Sequence, residues 1–243
     1  IDQPRRPIED GGVGCAVTDF DTDGDLDLYV AEYGHDSLFR NNGDGTFTDV
    51  AADMGVDVYD HVVTGVWGDV QHDGRPDLYT VGYVSGRPGM PDYLFINEGD
   101  RFVNRMPAII AANDSDHGAQ WADFDRDGDL DLALAANDPA ASHYLFRNEL
   151  DAEIAARSLQ VLVLDGNGHY TRAGSEVRVY RAGTELLLGL RIVDTGGGYN
   201  AQNAMPVHIG LAESVPIDVH VTVMGPQGRK TEIFRNVDWR ALN

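Results

Sequence analysis

Short apolar runs of about 4–6 residues alternate with clusters of Gly, Asn and Asp along the whole chain, the pattern of β-strands bounded by turns. No window keeps the 3.6-residue period of an amphipathic helix, so the pattern predicts an all-β protein. In the second half, strands are expected at Leu159–Leu164, Ser175–Tyr180, Leu186–Val193, Val207–Leu211 and Ile217–Val223, separated by the turns Gly166-Asn-Gly168, Gly196-Gly-Gly198 and Pro226-Gln-Gly228. Strands of this number and length predict a small sandwich or barrel. One helical turn is expected between the halves, over Asp151–Arg157.

The first half repeats itself. Asp19-Phe-Asp-Thr-Asp-Gly-Asp-Leu-Asp27, Asp69-Val-Gln-His-Asp-Gly-Arg-Pro-Asp77 and Asp123-Phe-Asp-Arg-Asp-Gly-Asp-Leu-Asp131 each run directly into an apolar segment. Downstream of each lies a second landmark, Leu38-Phe-Arg-Asn41, Leu94-Phe-Ile-Asn97 and Leu145-Phe-Arg-Asn148; Val66-Trp-Gly-Asp69 and Gln120-Trp-Ala-Asp123 lead into the second and third loops. Units near 50 residues with several short strands predict propeller-type blades. Three blades make an incomplete ring, because propellers close with about 4–8. Further blades are therefore expected from sequence outside this chain or from neighbouring subunits.

Charge divides the chain in the same place. Of 243 residues, positions 1–150 hold 30 acids and 9 bases, while 151–243 hold 10 and 9, for a net of −22. The shift places a domain boundary near residue 150: blades over 1–150, a second β-domain over 151–243. So acidic a chain excludes nucleic acid as partner, since the phosphate backbone demands a basic face. No run approaches 18 apolar residues, so a membrane-spanning helix is not expected. One cysteine, Cys15, excludes a disulfide framework; it is expected to be a small buried hydrophobe.

The loops place side-chain oxygens at positions one, three, five and nine: Asp19, Asp21, Asp23 and Asp27; Asp69, Gln71, Asp73 and Asp77; Asp123, Asp125, Asp127 and Asp131. Gly24, Gly74 and Gly128 at position six permit a sharp turn, which lets the carbonyls of Asp25, Arg75 and Asp129 at position seven face inward. Two carboxylates about 4 Å apart repel by about 4 kcal/mol at an effective dielectric near 20. Four converging without a cation would exceed the ~5–15 kcal/mol margin of a folded domain. An all-oxygen cage suits Ca²⁺ and disfavours zinc and copper. The EF-hand is excluded, because position twelve is Val30, Thr80 or Leu134 rather than Glu, and a strand follows. Gln71 and Arg75 make the second loop the weak or empty site.

The loop Asp-x-Asp-x-Asp-Gly-x-x-Asp, with Trp-x-Asp before it and Leu-Phe-x-Asn after it, resembles the FG-GAP/VCBS repeats of integrin α-subunit propellers over about residues 10–150. Residues 172–180 (Arg172-Ala-Gly-Ser-Glu-Val-Arg-Val-Tyr180), Gly197-Gly-Tyr-Asn-Ala-Gln202, His208-Ile-Gly-Leu211 and Gly225-Pro-Gln-Gly228 resemble the ASPIC/UnbV domain. Ser175, Ala201 and Ala212 depart from that family's Ala, Ser and Gly. The combination resembles the carboxy-terminal part of cartilage-acidic-protein-like chains. The resemblance implies calcium binding, an extracellular, cell-surface or periplasmic location, and interaction with other molecules; some relatives are thought to be enzymes of natural-product pathways.

Two functions follow. One is a calcium-stabilised extracytoplasmic module that binds a protein or glycan. The other is an enzyme without organic cofactor, a cyclase or hydrolase, with a pocket at the blade axis. For the second, the candidates are Asp60–His61 and Asp116–His117, which precede the Trp-containing strands, and Tyr199 in the Gly-rich turn. The ordinary reading of each His is a loop hydrogen bond. Trp67 and Trp121 are expected to pack between blades, with sugar stacking as the alternative, and His208 to be a core or interface residue. Hydrolase, phosphate-loop and dinucleotide fingerprints are absent from the sequence.

Overall fold

A computed structural model of the chain describes residues 11–83, 90–112, 116–136, 142–170, 172–194, 199, 206–226 and 228–241. Among them strands dominate, and each Asp loop joins the first two strands of a meander. Blade one is β1 (Gly11–Thr18), β2 (Asp27–His35), β3 (Ser37–Asn41) and β4 (Phe47–Asp49); the one-turn helix α1 (Ala51–Met54) follows. Blade two is β5 (Tyr59–Gly68), β6 (Asp77–Gly82), β7 (Tyr93–Asn97) and β8 (Phe102–Asn104), then α2 (Ala108–Ala111). Blade three is β9 (Asp116–Ala122), β10 (Asp131–Ala136) and β11 (Tyr144–Phe146), then α3 (Ala152–Ala155). Neighbouring strands within a blade pair antiparallel. Blades one and two also join edge to edge where Tyr33–His35 of β2 pair with Tyr59–His61 of β5.

The core of the blades lies between them. One cluster, with Phe20, Tyr29, Leu38, Trp67, Phe95 and Phe102, fills the gap between blades one and two. Another, with Val66, Tyr79, Ile96, Trp121 and Leu132, fills the gap between two and three. Both faces of blade two are thus covered, which is why β6 (Asp77-Leu-Tyr-Thr-Val-Gly82) is buried at all six positions rather than at alternate ones. The two indoles interlock successive blades: Trp67 meets Tyr29 edge-on at 6.3 Å, and Trp121 meets Tyr79 likewise at 6.1 Å. Both are buried, so the packing role is the observed one.

Cys15 departs from expectation. It is exposed, because β1 turns Ala16 and Thr18 inward and Cys15 and Val17 outward, on a face with no blade against it among the described residues.

The second half forms a two-stranded ribbon, β12 (Ser158–Val161) with β15 (Val207–Gly210), and a four-stranded sheet ordered β14 (Leu187–Ile192), β13 (Glu176–Arg181), β16 (Ile217–Gly225), β17 (Gly228–Val237). Val177, Val179, Ile209, Leu211, Ile217 and Trp239 form its core. β17 was not among the expected strands.

Candidate metal centres

Each Asp loop is held open by the same local bonds. The position-nine carboxylate accepts two backbone N–H groups in every copy. Asp27 accepts from Phe20 at 3.0 Å and Asn41 at 2.8 Å; Asp77 from Val70 at 3.0 Å and Asn97 at 2.8 Å; Asp131 from Phe124 at 3.1 Å and Asn148 at 2.9 Å. The Asn of the Leu-Phe-x-Asn landmark then ties one blade to the previous loop. Asn97 Nδ2 donates to Phe20 O at 2.9 Å, and Asn148 Nδ2 to Val70 O at 3.0 Å. Positions four and six both sit at positive φ: Thr22, His72 and Arg126 near 59°, 54° and 65°, and Gly24, Gly74 and Gly128 at 96°, 91° and 101°. The loop therefore curls twice within four residues and turns its carboxylates inward.

In the first loop Asp19, Asp21 and Asp27 each offer an oxygen within 4.8 Å of the others, and Asp123, Asp125 and Asp131 do the same in the third. The position-five carboxylates stand outside these triads; Asp23 accepts the Asp25 N–H at 2.9 Å and Asp127 the Asp129 N–H at 3.3 Å. Asp25 and Asp129 follow at position seven; the Asp129 carboxylate is buried and accepts the Leu150 N–H at 3.0 Å. Burial pushes Asp19 up to about 6, Asp27 up to about 7 and Asp131 up to about 6, and it raises Asp21 as well, with Asp23 adding repulsion. These carboxylates resist ionising together unless a cation joins them.

Both triads fit a hard divalent ion. All donors are oxygens, and Asp21 Oδ1 and Asp123 Oδ1 are enclosed without a hydrogen-bond partner. Arg147 closes the outer side of the third loop, with Nε 2.7 Å from Asp125 and Nη2 2.8 Å from Asp127.

The second loop does not gather such a triad among the described residues. Gln71 is exposed, and Arg75 turns back on the loop, pairing with Asp73 and donating from Nε to Asn97 O at 2.9 Å. Asp69 and Asp77 are buried and their carboxyls raised by that burial.

Asp60 does not bond the His61 ring among the described residues. Asp60 accepts the backbone N–H of His61 at 2.8 Å and the Tyr93 hydroxyl at 3.1 Å, while the His61 ring lies on Tyr33 at 4.6 Å. His117 lies against Tyr83 at 4.2 Å and Tyr199 at 5.2 Å, and burial lowers its pKa. His117 and Tyr199 thus meet as rings. The side chain of Asp116 and residues 200–205 lie outside the described residues.

The second half sits on the loops. Arg178 Nη1 donates to Gly24 O at 2.8 Å, the His208 ring to Gly128 O at 3.0 Å, Ser158 Oγ to Gly128 O at 2.9 Å and Gln160 Nε2 to Asp123 at 2.8 Å. His208 is an interface residue; its enclosure pushes its pKa down to about 3.

A family model described as the FG-GAP-like repeat matches residues 19–80 and 83–134, which contain all three loops. The chain carries FG-GAP-like repeats. With these repeats it is also similar to cartilage acidic protein 1 of Xenopus tropicalis, at 27% identity across 87% of this chain and 41% of the relative. For cartilage acidic protein 1 of Homo sapiens the identity is 27%, across 96% and 43%. The chain thus spans less than half the length of these curated relatives. A solved structure, described as the "Structural basis of specific recognition of non-reducing terminal N-acetylglucosamine by an Agrocybe aegerita lection", aligns at 17% identity and a TM-score of 0.30, over 73% of this chain and 51% of its own.

Proposed function

We propose that the chain is a calcium-binding interaction module of the extracellular or periplasmic space. Its FG-GAP-like repeats hold Ca²⁺ in the first and third loops, and residues 151–243 form an ASPIC/UnbV-like domain beside them. The carrying observation is the pair of matching carboxylate triads, each with an enclosed oxygen that accepts nothing from the protein. The metal is structural: it removes repulsion among carboxylates whose burial would otherwise hold protons on them. Similarity to cartilage acidic protein 1 supports the setting and the role of presenting loops to a protein or glycan. Among the described residues no helix is long and apolar enough to cross a membrane.

The test is thermal melting of protein stripped with a chelator and desalted, with and without millimolar Ca²⁺. An ion at 100 times its Kd stabilises by about 2.7 kcal/mol per site. The melting temperature is expected to rise with Ca²⁺ and to rise less in Asp21→Asn and Asp125→Asn. An unchanged melting curve together with no heat of binding in calorimetry would refute the proposal.

A further inference from the structure

The first and third loops gather the same triad but fasten it differently. In the first loop the position-one carboxylate is held by the loop's own backbone: Asp19 accepts the N–H groups of Asp23 and Gly24, both at 3.1 Å. The second loop repeats this, with Asp69 accepting from Asp73 at 3.1 Å and from Gly74 at 2.9 Å. The third loop breaks the pattern. Among the described residues Asp123 accepts no N–H of its own loop; the Asp127 N–H turns to Asp125 at 3.3 Å, and Asp123 accepts Gln160 Nε2 of β12 at 2.8 Å instead.

The second difference is a cation. The residue before the landmark asparagine is Arg40 in the first repeat, Ile96 in the second and Arg147 in the third. In both Arg-bearing repeats the asparagine N–H bonds the position-nine carboxylate, at 2.8 Å for Asn41 and 2.9 Å for Asn148, so the backbone carries each arginine past its loop at the matching point. Arg147 bridges positions three and five there: Nε is 2.7 Å from Asp125 Oδ2 and Nη2 is 2.8 Å from Asp127 Oδ2. Arg40 is exposed and forms no ion pair with Asp21 or Asp23.

A carboxylate bonded to a guanidinium has less of its charge to offer a metal ion, and an ion arriving beside it meets a like charge. Ligand charge and rigidity set how tightly an oxygen cage holds Ca²⁺. On both counts the loops differ. The first is fastened from within and keeps its charge. The third is fastened by side chains from outside the loop, and one of them neutralises part of its charge.

We propose that Arg147 is a latch that competes with the metal ion for Asp125, making the third loop the weaker, exchangeable metal site and the first loop the permanent one. The latch rests on the calcium reading of the two triads. Arg147 sets the affinity of the third loop without being a ligand, and its side chain, 53% exposed, can swing into solvent when the ion binds.

Calorimetric titration of the stripped full chain with Ca²⁺ tests this one loop at a time. With the first loop disabled by Asp21→Asn, adding Arg147→Gln is expected to tighten the remaining site about three- to tenfold. With the third loop disabled by Asp125→Asn, adding Arg40→Gln is expected to change the remaining site by less than about twofold. A merely structural role for Arg147 would weaken binding when it is removed. An unchanged or weaker Kd in the Arg147→Gln variant therefore overturns the latch, and so does equal tightening in the two backgrounds, which would mark a general effect of removing positive charge. Should either loop variant fail to fold, the chain with both loops intact gives the same answer: two unequal Kd values are expected, and Arg147→Gln is expected to draw them together. Equal values in the wild type overturn the latch. No heat of binding in the wild type or any variant sinks the calcium reading and the latch with it, whereas binding that ignores Arg147 sinks the latch alone.

Discussion

A single buried carboxylate away from the loops shows how this acidic chain manages charge residue by residue. Asp36 is fully buried, accepts the Tyr29 hydroxyl at 2.7 Å and the Glu32 N–H at 2.9 Å, and is pushed up to about 7 by burial, with Glu32 and Asp57 adding repulsion. Below pH 4 the group is protonated in both folded and unfolded chains, and its contribution is fully present. As pH rises, the unfolded chain gives up the proton first, so stability is lost until the folded group also titrates near 7. The shift corresponds to about 4 kcal/mol. Asp36→Asn keeps an acceptor for the Glu32 N–H and cannot ionise. In urea denaturation at saturating Ca²⁺, the variant is expected to gain roughly 2–4 kcal/mol on the wild type between pH 4 and pH 8. A constant difference across that range would show that Asp36 ionises freely in the fold. What was legible at this scale was the regular spacing of the loop aspartates, because the spacing of side chains along one loop is a local property. The inward turn at position four was not, since Thr22, His72 and Arg126 share no residue type that favours positive φ. Nor was the enclosure of the Arg191 guanidinium, because nothing near it in sequence marks a buried cation.

Between elements, the interlock of indole and tyrosine sets how closely blades approach. Trp121 donates from Nε1 to Val66 O at 3.3 Å, and its ring covers Gly68, where a Cβ would stand 2.8 Å from Cδ1. The ring cannot retreat without giving up that bond and its contact with Tyr79. Gly68→Ala is therefore expected to cost about 1–3 kcal/mol as an overpacked interface. Gly11→Ala, with open space around the new methyl, should stay within about 0.5 kcal/mol of wild type. Chemical denaturation of the two separates packing from the general effect of replacing a strand glycine. The longer strands of the blades were legible because each has buried positions, as in β2, β5, β6 and β10. β17 was not, because Gly228–Val237 is exposed at nine of its ten positions and carries the polar run Arg229-Lys-Thr-Glu232. Backbone pairing with β16, rather than burial, holds it in place, and pairing leaves no hydrophobic period to read.

Across the whole molecule, carboxylates of the blades and donors of the second half meet on one surface, so loading the loops and seating the second half are linked. Arg178 reaches the first loop, and Ser158, Gln160 and His208 the third. The conformations of both loops depend on a metal ion under the proposal above. Removing it leaves their carboxylates repelling one another, and the carbonyls of Gly24 and Gly128, which take the bonds from Arg178, Ser158 and His208, sit at the turns those carboxylates define. By linkage, whatever steadies the turns steadies the docking, and docking in turn tightens the ion. Arg157 reports on this directly. It follows α3, its carbonyl accepts the Leu211 N–H at 2.8 Å and its guanidinium donates to Ala212 O at 3.2 Å, while Ser158 on the other side of its peptide bond donates to Gly128 O of the third loop at 2.9 Å, so trypsin reaches that bond only when this segment parts from both the end of β15 and the third loop. When opening is fast relative to cleavage, the cutting rate follows the open population. Chelation is expected to speed cleavage after Arg157 by about tenfold, equivalent to about 1.4 kcal/mol of lost docking. Cleavage at sites on exposed loops distant from the junction should change little. Equal acceleration at all sites would mean that the ions hold the blades as a whole, and no acceleration would mean that the junction is closed by its arginines alone.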